Sequence, residues 1–228
     1  MAFIEVDNVS FAYGKRKNIL EELSLNINQY DCTGIIGENG SGKTTLCKLI
    51  MGILKPNRGR VLIDDNDIKD LRLSDIGSII GYLFQNPERQ LFTMKVKDEL
   101  RFPFVLRENI DENIECEITK ILKNFDLEDK KDDFVFKLSY GEKQRLALAA
   151  ILINKPKFII LDEPTTGLDN TRKNALSGYL DMVKREGTGL IIISHDIEFI
   201  THHCDRIITL SGGEIIGDIY REQGRCKS

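Results

Sequence analysis

Residues Gly37–Thr44 read GENGSGKT, matching G-x-x-x-x-G-K-[ST], and they stand between a short apolar run at 33–36 and a helix-like run from Thr45. No other stretch restricts the fold as much, because the pattern has meaning only where a strand turns through a glycine loop into a helix. Glycines let backbone N–H groups converge on an anion, and the helix start adds partial positive charge. Gly37, Glu38, Asn39, Gly40, Ser41, Gly42 and Thr45 therefore form a candidate phosphate cradle. In it Lys43 would reach the terminal phosphates and Thr44 would offer its hydroxyl to magnesium. The helix that follows is predicted to carry Leu46, Leu49, Ile50 and Ile53 on one side, ending at the KPNRG turn.

The runs FIILDEP (158–164), GLIIISHD (189–196) and RIITLSGGEII (206–216) are nearly continuous in apolar residues. That is the mark of strands buried on both faces of a parallel sheet. Between the first two, NTRKNALSGYLDMVKREG supplies a crossover helix. Upstream, FIEVDNVSFAYG and ILEELSLNIN alternate apolar and polar residues and predict an antiparallel pair turning near Gly14. From Pro87 the character changes: Val96 to Leu127 is charge-rich, with Ile114, Ile118, Ile121, Leu122 and Phe125 at helical spacing, and Pro87 to about Leu152 is read as a helical insertion.

Two further stretches carry candidate chemistry. FIILDEP ends a buried strand on adjacent carboxylates, which have no place in a core, so that strand should open onto a site. Asp162 suits magnesium, directly or through water, and Glu163 suits orienting or deprotonating an attacking water. His195 and Gln85 each close an apolar run; a structural role and a place at the site both remain open for them, since parallel strands bring their ends to one edge. LSYGEKQR (138–145) leads into LALAAILI, placing Ser139 and the N–H groups near Gly141 at a helix start, a second anion-binding surface. The similar LSGGEII (210–216) lies between two β-type runs, so Gly212–Gly213 read as a hairpin turn.

In order and content these motifs resemble the nucleotide-binding subunits of ABC transporters over nearly the whole chain. The resemblance implies an α/β fold: a P-loop NTPase (RecA-like) core with an N-terminal antiparallel β-subdomain and an inserted α-helical subdomain. In these terms 1–228 is one ABC ATPase domain, with 1–86 and 153–228 as core and 87–152 as the helical part bearing the signature. It implies ATP and Mg2+ as ligands. It further implies that Tyr13 stacks on adenine, Gln85 contacts magnesium and senses a membrane partner, and Glu163 is the catalytic carboxylate. His195 would contact the γ-phosphate, Lys43 would stabilise charge, and Asp169 would lie between two cassettes. Against the family's LSGGQ signature this chain carries Tyr140 and Glu142 while keeping Ser139 and Gly141. Binding is expected to survive that departure, and its effect on turnover is left open.

FQNPERQLF (84–92) and VKDELRFPFVLREN (96–109) are similar to energy-coupling-factor ATPases, which drive uptake of vitamins or of cobalt and nickel ions. Those ATPases often carry an extra C-terminal pairing segment; pairing through one is not expected here, as the chain ends soon after its final hairpin. The implied partners are a second cassette, identical or paralogous, and transmembrane transporter subunits. A soluble ABC-type ATPase in repair or translation, or a small-molecule kinase, shares the phosphate loop. The first usually has a long coiled-coil insertion or tandem cassettes, and the second leaves LSYGEKQR unexplained.

A formal net charge of −4 over 228 residues gives no general attraction to nucleic acid or anionic lipid. No apolar run approaches the roughly 18 residues of a membrane span, and MAFIEVDNVS lacks a signal peptide's pattern. The expected place is the cytoplasmic face of the membrane, held peripherally. The five cysteines are odd in number and never spaced CxxC, so reduced thiols are expected. HHC (202–204) has no companion ligand cluster and reads as a partly exposed helix end rather than a zinc site. The tail YREQGRCKS is expected to fray.

Overall fold

The computed structural model describes residues 2–14, 17–107 and 113–221. Cys226 and most of the tail expected to fray lie outside the described residues. The chain first lays down β1 (Ala2–Phe11), β2 (Leu20–Asn28), β3 (Cys32–Ile36), α1 (Lys43–Ile50), β4 (Arg58–Ile63) and β5 (Asn66–Asp67). α2 (Leu73–Ile79), β6 (Ile80–Leu83), α3 (Val96–Leu106), α4 (Ile114–Asn124) and α5 (Tyr140–Leu152) follow. The rest is β7 (Phe158–Asp162), α6 (Asn170–Arg185), β8 (Gly189–Ile193), α7 (Ile197–His203), β9 (Arg206–Ser211) and β10 (Glu214–Tyr220).

The strands form two sheets, ordered β2-β1-β4-β5 and β10-β9-β3-β8-β7-β6. β1 pairs antiparallel with both β2 and β4. In the second sheet β6, β7, β8, β3 and β9 run parallel, and β10 folds back antiparallel on β9. β3, β6, β7 and β8 are buried along nearly their whole length, because helices and the first sheet cover the two faces. The third apolar run departs from the expected burial on both faces: β9 alternates buried and half-buried residues and β10, at the sheet edge, is mostly exposed. One core joins the first sheet and α1 to one face; α3 to α6 pack on the other. Arg206 on β9 ties the sheets together: it pairs with Asp218 through two hydrogen bonds and donates to the Asn26 carbonyl of β2.

One local expectation changes. α1 stops at Ile50, so Ile53 lies past the helix and is exposed rather than on its buried side. β4, β5 and α2 have no counterpart in the sequence reading, since residues 58–79 are short, polar-rich segments; β4 is paired by β1 and β5 by β4. HHC is the partly exposed helix end expected, closing α7 with His202 exposed. His203 and Cys204 are buried, His203 against Phe199 and the Ser177 hydroxyl, Cys204 with its Sγ 3.5 Å from that of Cys32. Both of those cysteines are free thiols, brought together from opposite ends of the sequence.

Candidate nucleotide site

The glycine loop leaves β3 where a side chain would not fit. Gly37 has φ 150°, and a Cβ there would fall 2.1 Å from the Leu210 carbonyl oxygen. The loop also braces itself: the Lys43 ammonium donates to the carbonyls of Gly37 and Glu38 at 2.8 and 2.9 Å, and Ser41 N–H donates to Glu38. α1 begins immediately, so its unpaired N–H groups face the loop's concave side.

Strand order explains the rest of the site. β3, β8, β7 and β6 are successive parallel neighbours, so their C-terminal ends form one edge. A cleft of about 400 Å3 lies there, lined by the loop and α1 start (Asn39 to Thr45, without Ser41), Gln85 after β6, Glu163 after β7 and His195 after β8. Asp162 sits beneath it, 5% exposed, its Oδ1 3.4 Å from the Thr44 hydroxyl and its Oδ2 accepting from the Tyr82 hydroxyl at 2.8 Å. Burial, with the carboxylate beside it, pushes Tyr82 far above its usual range, so it stays a donor.

Glu163 breaks from β7 in a left-handed turn, φ 52°, pinned by its N–H on the Ile193 carbonyl. Such a conformation costs a non-glycine residue about 1–2 kcal/mol and persists where the surroundings over-determine it. The His195 ring Nε2 lies 3.1 Å from Glu163 Oε1, within ion-pair range but not in hydrogen-bond alignment; Oε1 is sealed from solvent and otherwise unpaired. Desolvation raises the Glu163 pKa, opposed by the pull of His195 and Lys43. The Ser41 hydroxyl is likewise buried without a partner.

Other predicted residues stand elsewhere. Tyr13, 41% exposed, meets Phe11 edge-on and does not line the cleft. Ser139, Gly141 and Glu142 open α5 away from the cleft, with Gly141 against Arg172. There Ser139 and Glu142 form a reciprocal cap: Glu142 N–H donates to the Ser139 hydroxyl and Ser139 N–H to the Glu142 carboxylate. That bond holds the Glu142 carboxyl below its ordinary range. Either Glu or Gln can close such a box, which accounts for Glu142 in this signature. Asp169 caps α6 by accepting from Arg172 N–H at 2.8 Å. Ile19 and Thr166 also line the cleft. Neither carries a motif; Thr166 could have been suspected only from lying three residues after Glu163.

The family model described as ABC transporter matches residues 20–166. A Pyrococcus furiosus protein named as an ABC transporter ATP-binding protein is 40% identical over 224 residues, covering 95% of this chain and 84% of the relative. The structure of CbiO1 from Clostridium perfringens, part of the ABC transporter complex CbiONQ, superposes with a TM-score of 0.85 at 33% identity, covering 95% of this chain and 88% of that one. A dimeric post-hydrolysis state of the ATP-binding cassette MJ0796, bound to ADP and Pi, gives a TM-score of 0.84 at 27% identity over 96% of this chain and 99% of that one. With a phosphate loop, a carboxylate-ended strand and a capped signature helix on this fold, the chain belongs to the ABC transporter family and is an ATP-binding, ATP-hydrolysing subunit of it.

Proposed function

We propose that this subunit powers uptake through a membrane complex of energy-coupling-factor type, by ATP-driven closure of two cassettes. The observation that carries the reading is the separation of the Ser139 helix start from the cleft in its own chain. A capped, exposed anion-binding tip with no anion site to serve at home is suited to covering a neighbour's γ-phosphate. The CbiO1 likeness, to a protein described as part of the CbiONQ complex, supports the subclass, and the dimeric MJ0796 structure supports pairing.

Within the cleft, the loop N–H groups of Gly37 to Thr45 would hold the phosphates and Tyr13 the adenine. Thr44, Asp162 and Gln85 offer hard oxygen donors, and the 3.4 Å approach of Thr44 to Asp162 puts two of them together, so these residues fit magnesium. That ion, when bound, neutralises phosphate charge. Lys43 and His195 stabilise charge on the transferring group, and Glu163 takes the proton of the attacking water. Its raised pKa brings it nearer the poise of a base at neutral pH. Asp169 would face the partner cassette. The chain is read as one ATPase domain, core 1–86 and 153–228, helical part 87–152.

The helical part carries an apolar surface that suits the membrane subunit. Phe92, Met94 and Phe136 are 64%, 71% and 69% exposed, and Val135 N–H donates to the Met94 carbonyl, bringing their loops side by side. The buried Glu99 carboxylate fixes that loop by accepting from Phe92 and Thr93 N–H groups. Exposed apolar side chains grouped this way mark an interaction surface. Among the described residues no helix is long and apolar enough to cross a membrane; attachment would be peripheral, at the cytoplasmic face, through such a partner.

Sedimentation of the Glu163→Gln chain, with any cassette that co-purifies, tests closure. A two-cassette particle is expected with Mg-ATP and single particles without it. Single particles under both conditions would overturn the reading.

A further inference from the structure

Asp162 is buried beneath the nucleotide cleft, and among the described residues its carboxylate meets two neutral hydroxyls and no ion-pair partner. A buried carboxylate is costly unless donors compensate it, so the two hydroxyls matter. Thr44 belongs to the phosphate loop's helix, 3.4 Å from Oδ1, whereas Tyr82, which donates to Oδ2 at 2.8 Å, carries no motif and reads in sequence as one more member of the run GYLF. Sheet register brings it there. β6 and β7 run parallel with Tyr82 opposite Ile160. Residues two apart on a strand share a face, so Tyr82 and Asp162 stand on one face, offset by a single step along the strands. A phenol is long enough to span that diagonal. The same face packs on α1, whose Leu46 and Cys47 share a core with Tyr82 and Ile160, and Phe84 meets the Tyr82 ring edge-on at 4.9 Å. Carboxylate, phenol and Thr44 hydroxyl are thus held by three separate elements.

We propose that Tyr82 is a positioning residue for the cation site: by occupying Oδ2 it holds the Asp162 carboxylate with Oδ1 turned towards Thr44 and the cleft. This rests on the reading of Thr44, Asp162 and Gln85 as magnesium ligands. Tyrosine suits the role because a phenol hydrogen-bonds a carboxylate without neutralising it, and the whole negative charge stays available to a divalent cation. A lysine or arginine at this place would compete with that cation. Donors behind a metal ligand fix its orientation, and losing one typically weakens metal binding by about 10–100-fold. The ring of Tyr82 fills the core as phenylalanine would; its buried hydroxyl is the part that requires a partner, and Asp162 is that partner.

Mn2+ is the probe, titrated by electron paramagnetic resonance into the full chain loaded with ADP. Tyr82→Phe is expected to bind Mn2+ about tenfold more weakly, while its affinity for ADP in EDTA stays that of the parent. Half-maximal ATP turnover should need correspondingly more Mg2+, with kcat recovered once the ion saturates. Tyr82→Leu separates hydroxyl from packing. It loses the ring as well, so it should melt below Tyr82→Phe, yet bind Mn2+ no more weakly. Parental Mn2+ affinity in Tyr82→Phe overturns the proposal, and so does a loss of Mn2+ affinity that follows the melting temperature from Phe to Leu. Asp162→Asn reveals failure of the underlying reading. If that chain binds Mn2+ as the parent does, the carboxylate is no metal ligand and the magnesium reading falls together with the role of Tyr82. If it binds weakly, adding Tyr82→Phe should bring no further loss; an additive loss means the hydroxyl acts elsewhere, and only the positioning role is gone.

Discussion

The Gly37–Thr44 loop and the Ser139 tip are both glycine-bearing turns that open a helix, but they are held in different ways. The loop is closed on itself by Lys43 and lies against the Leu210 backbone, and its cleft contains acidic, amide and imidazole groups from three strand ends. The tip is closed only by the Ser139–Glu142 box, Ser139 is exposed, and the side chains behind it reach away to Gln85, Glu88 and Pro164. On the two-cassette reading one region is a site and the other is a piece of a site. The lesson is that an anion-binding turn acquires its role from what surrounds it, and on that reading the tip's surroundings would come from another molecule.

The largest expected effect falls on the loop side. Glu163→Gln should still bind ATP while turnover drops by about 10²–10⁴, the usual contribution of a general base. Near-wild-type turnover in single-turnover assays would remove Glu163 from that role. Ser139→Asn addresses the tip, since asparagine also caps helices well but places a bulkier amide where the hydroxyl would meet phosphate. Turnover should fall about tenfold or more, the worth of a hydrogen bond to a charged group. Melting temperature and nucleotide affinity at the loop should change little. Should affinity fall in step with turnover, the contrast between the two regions fails.

The smallest effect is on pH dependence. Burial raises the Glu163 pKa, so the acid limb of kcat should lie above the ordinary glutamate range, with activity rising as the base loses its proton. His195 opposes that shift, so in His195→Ala the limb should move further towards neutral pH; a limb that stays put would show that the pair is not coupled. The linkage sign is the reverse of a salt-bridged acid. With its folded pKa raised, Glu163 favours the folded state at low pH and loses that contribution as pH rises through the folded value. Glu163→Gln should accordingly melt higher than the parent at neutral pH and lose that advantage in acid.

Much of this was legible in the chain. GENGSGKT between an apolar run and a helical one, and FIILDEP ending on two acids, need only local chemistry to interpret. So does the separation of LSYGEKQR from LSGGEII: the later copy is the β9–β10 turn, with Gly212 and Gly213 at φ 57° and 90°. Residues 58–79 were not legible, because β4 is recruited by β1 and β5 by β4 rather than by their own pattern. Nor was the end of α1, where Ile53 keeps helical spacing past the last helical residue.

By itself the sequence determined the chemistry available: a loop that can hold phosphate, a strand whose terminal carboxylates need polar partners, and a helix start able to cap itself. These follow from backbone freedom, desolvation and hydrogen-bonding capacity, which are properties of short segments. Only the tertiary structure decided which of those groups share a cleft and which are sent outward. That depends on the order in which parallel strands lie side by side and on bonds to main-chain carbonyls at Gln85 and Pro164, and a carbonyl has no letter of its own in the sequence.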